Sequence, residues 1–322
     1  SNNWLHHPDP ISRGDKIGGM TLLPPALLRK TLLCAVGLVA AAASFAQTSS
    51  VVLVQAQPAA ANPAPAAVDK TAAQIDAENS KRWSIYWGWN RSNYSNSTIH
   101  FKGSDHDFTL KDVKATDLQT NTGLSDIFKY YLNPAEITIP QTNLRVAYQL
   151  NSDTAIALNL DHMKYVVVQD QSVEMSGCYK NGAAPQVCNN GQQVIGDQWL
   201  NFEHTDGLNI LSIELEKQKK VDWFGADRAK VFGLVGVGIV IPKTNATMHM
   251  IGQTRNDQFY VSGWSVGAGA GLEVDLTKSV FLRSAYKFGY VDLPDVVTSA
   301  RGDKASHSFT YNELLIAVGY RF

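Results

Sequence analysis

The run that most constrains this chain is its last one, 312–322. Read as an extended strand, it places Leu314, Ile316, Val318, Tyr320 and Phe322 on one side. Glu313, Leu315, Ala317, Gly319 and Arg321 fall on the other. One side is apolar and finishes in two aromatics; the other is small or charged. A strand of a water-soluble sandwich normally runs on into a turn, whereas this one stops on its own apolar face. Such a strand needs a sheet whose outer side meets something other than water.

The same two-residue period recurs upstream. In 83–90, Trp83, Ile85, Trp87 and Trp89 share a face, with Ser84, Gly88 and Asn90 opposite. Three indoles on one face make either a core or a large exposed patch in water, but in a bilayer they make a lipid wall with an interfacial belt. Leu144, Val146, Tyr148 and Leu150 lead to a tight turn at 151–153, and Ile156, Leu158 and Leu160 follow it. Leu211, Ile213 and Leu215 mark a further strand, and 231–241 is apolar on the face opposite Gly236 and Gly238. Val266, Ala268, Leu272 and Val274 oppose Gly267, Gly269 and Gly271; Leu282, Tyr286, Phe288 and Tyr290 face away from Arg283 and Lys287. Two further strands are expected at 97–102 and 106–115. Short turns (151–153, 219–227, 275–279) alternate with long polar segments (117–136, 171–198, 243–256, 293–307). The pattern predicts an all-β, antiparallel transmembrane β-barrel of about ten strands, or about eight if the count starts at 106 and the Trp-rich strand packs elsewhere. Short turns then lie on the periplasmic side and long segments outside.

With Phe322 at its end and Tyr320 two residues before, the closing strand resembles that of Gram-negative outer-membrane β-barrel proteins, whose terminal aromatic is an insertion signal. Over 82–322 the architecture is similar to small OmpA- or OmpW-like barrels. The resemblance implies an outer-membrane location. It also implies as partners outer-membrane lipid and lipopolysaccharide, the barrel assembly machinery and periplasmic chaperones. A formal net charge of −1 gives no sign of nucleic-acid binding, and no cofactor is expected.

The N-terminal part reads as three segments: an upstream extension (1–19), a signal peptide (20–46) and a flexible periplasmic linker (47–81), rich in Ala, Pro and Gln. The leader has Arg29 and Lys30 before an apolar stretch, and Ser44-Phe45-Ala46 supplies small residues before a cleavage point at Gln47. A short helix is expected near 70–79. Removal of the leader takes Cys34 with it, leaving Cys178 and Cys188; an even pair in an exported chain predicts a disulfide across a short polar loop.

If the apolar faces meet lipid, the opposite faces send Arg145, Asp161, Glu214, Glu216, Glu273, Arg283, Lys287, Glu313 and Arg321 into the lumen. Nearly balanced charges among glycines predict a salt-bridged, filled interior, since an isolated buried charge is very costly. That points to a structural or surface-interaction barrel; a narrow channel for small solutes is the third reading. The second comes from two polar stretches, 159–165 and 201–209, expected near the outer ends of adjacent strands. Asp161, His162, Glu203, His204 and Asp206 are candidates for a rim cluster, since a His oriented by a carboxylate is half of a hydrolase site. The second stretch resembles outer-membrane lipid A deacylases, which place a His and a Ser on one barrel strand. Here Asp206 stands two residues after His204, and the next Ser is Ser212. A metal or ligand site built on His162, His204 and Glu203 is the alternative use of the same residues.

Overall fold

The computed structural model describes residues 82–117, 141–225 and 228–322, apart from the side chain of Asp206. The expected upstream extension, leader, linker and 70–79 helix lie outside the described residues. The strands are β1 (Trp83–Tyr94), β2 (Ser97–Lys102), β3 (His106–Val113), β4 (Ala115–Thr116), β5 (Thr142–Gln149), β6 (Thr154–Val167) and β7 (Gln171–Tyr179). They continue with β8 (Val187–Ile195), β9 (Leu200–Val221), β10 (Ala229–Met248), β11 (Asp257–Phe259), β12 (Gly263–Asp275), β13 (Val280–Val297) and β14 (Lys304–Arg321).

All of them belong to one 14-stranded antiparallel sheet, more strands than the sequence led us to expect. Eight form the closed ring, in the order β1, β5, β6, β9, β10, β12, β13, β14 and back to β1. The Trp-rich strand therefore lies inside the wall: Ile85 pairs with Tyr320 and Trp89 with Ile316, so the first and last strands seal the barrel. Strands β2 and β3, expected as ring members, stand above it instead. The hairpin turns after β5, β9 and β12 lie at the end that holds Trp83 and Phe322, whose backbones bond to each other at 3.0 and 3.2 Å. We call this the lower end.

The lower half of the ring is apolar outside. Trp83, Trp87, Trp89, Leu144, Leu158, Ile213, Leu282, Phe288, Ile316 and Val318 are each 40–60% exposed. Aromatics edge this belt below (Trp83 beside Tyr148, rings 4.9 Å apart) and above (Trp264 beside Tyr290, 5.6 Å), as expected of a membrane barrel. Inside, small residues admit large ones. A Cβ on Gly319 would come within 2.1 Å of the Phe281 ring, so the glycine makes room for that aromatic.

Above the belt the wall changes. Register shifts interrupt β6 between Met163 and Tyr165, β10 between Pro242 and Asn245, and β13 between Leu293 and Val296. Two of the three carry a proline (Pro242, Pro294), which a ladder tolerates best at a bulge. Beyond them the strands continue, and β2, β3, β7 and β8 extend the sheet from β14. The stretches 171–198 and 293–307, read from sequence as polar loops, are largely strand, whereas 243–256 is strand only as far as Met248 and then turns through His249–Ile251. Their polarity is only one face of a sheet whose other face is core. Ile99, Phe101, Phe108, Leu110, Tyr165, Met175, Ile195, Phe202 and Phe309 pack there with exposures of 2% or less.

Candidate functional site

The site with the most organised chemistry is the lumen. Each of the eight ring strands sends at least one polar side chain inward, because the pleat that turns an apolar residue to the outside turns its neighbour in. β1 supplies Tyr86 and Asn90, β5 Asn143 and Arg145, and β6 Asn159 and Asp161. β9 supplies Glu214 and Glu216, β10 Lys230, β12 Glu273, β13 Arg283 and Lys287, and β14 Glu313 and Arg321.

They pair in layers. At the lower mouth Arg321 bonds Glu273 and Asp275 (the latter at 2.6 Å), and Lys230 reaches Glu273 at 3.4 Å. One layer up, Arg283 bridges Glu273 at 3.1 Å and Glu216, while Arg145 donates to Glu216 at 2.8 Å and Glu214 at 2.9 Å. The next layer is Lys287, which donates to Glu214 at 2.9 Å and Asp161 at 3.1 Å. At the top Asn143 donates to Asp161 and to Glu313 (2.8 Å), and accepts from Asn90 at 2.6 Å. Arg283 also lies over the Phe232 ring, 3.5 Å from its centre, and is 1% exposed.

Small cavities lie along this axis among the described residues. One of about 20 Å³ at the lower mouth is lined by residues that include Arg82, Gln149 and Gln218; another of about 20 Å³ lies beside Ser212, Gly236, Gly267 and Lys287. Each has room for about one water. Above the second, Leu208, Val240, Val291 and Phe309 belong to the dry upper core. Charge closes the barrel below and apolar packing closes it above.

The rim cluster does not assemble. Asp161 turns into the lumen toward Lys287, while its neighbour His162 turns the other way and bonds Asn209 at 2.7 Å. Glu203 accepts from Asn245 at 2.9 Å, whereas His204 points into the upper core. Adjacent residues of a strand face opposite sides, so each stretch splits its own pair. The side chain of Asp206 lies outside the described residues. Among the described residues no group of three or more His, Cys, Asp or Glu is placed to hold a metal ion.

His204 has a partner that no motif in the sequence marks. Its Nδ1 lies 2.8 Å from Thr244 Oγ1 and its Nε2 3.2 Å from Nε2 of His307, with the two rings stacked. Both histidines sit seven residues above the belt strand positions Leu211 and Leu314, clear of the membrane-facing zone. Burial pushes the His307 imidazole down to about 3, and burial together with the His307 ring holds His204 well below its usual range. Cys178 and Cys188 are bonded as a register pair of the β7–β8 hairpin. The bond therefore ties two strands of the upper sheet and does not close a separate polar loop.

No protein-family model and no curated protein matches this chain. Among solved structures it is similar to Neisserial surface protein A, at 12% identity and a TM-score of 0.31 over 74% of this chain and 97% of that one. It is also similar to the outer membrane protein OprG from Pseudomonas aeruginosa (14%, 0.32, 75% and 96%). The outer membrane protein AlkL in lipid bilayers gives 12%, 0.31, 84% and 97%. The chain is similar in fold to outer-membrane β-barrels. TM-scores this low bear no weight on function, and the barrel stands on its own strand pairing.

Proposed function

We propose that this chain is a non-enzymatic barrel of the Gram-negative outer membrane, closed to solutes, that stabilises the envelope and holds a folded β-domain outside. The observation that carries the reading is the filled interior: a layered ion-pair lumen under a largely apolar, aromatic core, with a cavity of about 20 Å³ beside Ser212 and Lys287 where the two meet. Tyr320 and Phe322 on the apolar face, the belt and the expected leader support the outer-membrane location, with the lower end in the periplasm. The upper sheet then projects from the cell, where its ordered surface meets lipopolysaccharide and external partners. The barrel assembly machinery and periplasmic chaperones deliver it there. Liposome swelling with the refolded protein tests the reading. Sugars and amino acids are expected to enter no faster than into protein-free liposomes; size-dependent entry overturns it in favour of a channel.

A further inference from the structure

Among the described residues β8 pairs with one strand only, β7, so its other side is a free edge of the upper sheet. Alternate residues of an antiparallel strand turn their N–H and C=O to the same side. The Ile195 carbonyl accepts from the Asp170 N–H at 2.7 Å, so Ile195, Gln193, Gly191 and Asn189 face β7. Cys188, Asn190, Gln192 and Val194 therefore turn their backbone groups outward. Side-chain amides sit on two of those carbonyls, Asn189 on Gln192 at 3.2 Å and Gln193 on Val194 at 2.9 Å.

Native proteins blunt such an edge with charge or proline. Val187–Ile195 carries neither. The outer face beside it is charged, with Asp107 and Lys111 on β3 and Glu174 on β7; Lys111 donates to Glu174 at 2.6 Å. Nor is β8 made for lipid, since Asn189, Asn190, Gln192 and Gln193 are four of its nine residues. The Cys178–Cys188 bond ties it to β7 and holds the edge in register.

We propose that β8 pairs antiparallel with β8 of a second copy of this chain, about a two-fold axis at Gly191. The occupant follows from the symmetry of the strand itself. Reversed about Gly191, the strand sets Asn190 opposite Gln192 of the copy and Asn189 opposite Gln193, amide against amide. Cys188 then stands opposite Val194. The outward-turned residues meet one another, so the two strands exchange N–H···O bonds at the Asn190/Gln192 and Cys188/Val194 pairs. Gly191 meets itself at the axis, with no side chain to hold the chains apart. No like charges come face to face, and the isologous contact leaves β8 with no free edge. The pairing goes beyond the closed barrel and does not depend on it.

Sedimentation velocity of the whole refolded protein in density-matched detergent micelles tests the pairing. The wild type is expected to pass from monomer to dimer as its concentration rises. Asn190→Lys with Gln192→Lys sets lysine against lysine twice across the axis and should weaken the dimer about tenfold. Asn190→Glu with Gln192→Lys sets glutamate against lysine twice and should restore it. A second measurement fixes the register. Residues at the axis form a non-hydrogen-bonded pair with Cα atoms ~4.5 Å apart, within reach of a disulfide. In a Cys34→Ser background, Gly191→Cys should therefore give an oxidised, covalent dimer, whereas Gln193→Cys, which lies off the axis, should not. A Cβ at Gly191 meets only Asn189 Oδ1, at 3.6 Å, so this change fits the fold even where the charged variants do not. Heat-dependent gel mobility checks that each variant is folded. A wild type that stays monomeric at every concentration overturns the proposal. Equal dimerisation of the two charged variants, or cross-linking of Gln193→Cys as readily as Gly191→Cys, overturns it as well.

Discussion

Arg283 shows what a single residue carries in this barrel. Its guanidinium is buried between Glu216 and Glu273 and stacked on Phe232, so removing it strands two carboxylates away from water. Arg283→Ala is expected to destabilise the barrel by roughly 3–5 kcal/mol. Leu282→Ala, one residue away on the lipid face, should cost far less, since only a few methylene contacts with lipid are lost. Thermal melts of both variants in detergent check the order; equal melting temperatures contradict a paired lumen. The inward charges were legible because the two-residue period fixes which side each residue takes. The same period sets Asp161 and His162, and likewise Glu203 and His204, on opposite faces of their strands. The His204–His307 contact was not legible, because it joins residues on strands that do not pair with each other. It predicts a pH dependence. An unfolded histidine takes up a proton near its ordinary value of 6.5, while folded His307 resists down to about 3. Stability of the upper half should thus be level above pH 6.5 and fall as pH drops from there toward 3. Melts of wild type and His307→Phe across this range check the sign; the variant should lose part of the slope.

Alternation fixes the side a residue takes more firmly than it fixes the place of a whole element. β14 and β1 were legible because aromatic outer faces and glycine or charge on the inner faces match a membrane wall. The hairpin of β2 and β3 looked like two more wall strands, since Ile99, Phe101, Phe108 and Leu110 alternate just as lipid-facing residues do. Alternation shows that one face avoids water and leaves open whether it meets lipid or core. The bulges that end the belt left a trace in Pro242 and Pro294, which sit in runs that otherwise read as strand. The placement of the disulfide changes what reduction should do. Cys178–Cys188 ties β7 to β8, and these strands pad the upper core with Val173, Met175 and Ile195. Reduction is expected to leave the heat-dependent gel mobility of the barrel unchanged, while raising hydrogen exchange in 171–195. Collapse of the barrel on reduction, or no change in exchange, contradicts that division.

At the scale of the whole molecule, the fold is one sheet that works in two solvents. Below the bulges its apolar face looks out at lipid and its polar face pairs inside; above them the apolar face looks in and the polar face meets water. The inversion places two different seals in series along one axis, an ionic one and a dry one. Loosening the first by Arg283→Ala should lower stability without opening a path, because Phe202, Tyr165 and Phe309 still fill the upper half. Single-channel recording of the refolded wild type, with Arg283→Ala alongside, tests this most directly. Two intact seals predict a quiet baseline for the wild type, and one remaining seal predicts the same for the variant. Steady stepwise conductance in the wild type would contradict the closed barrel.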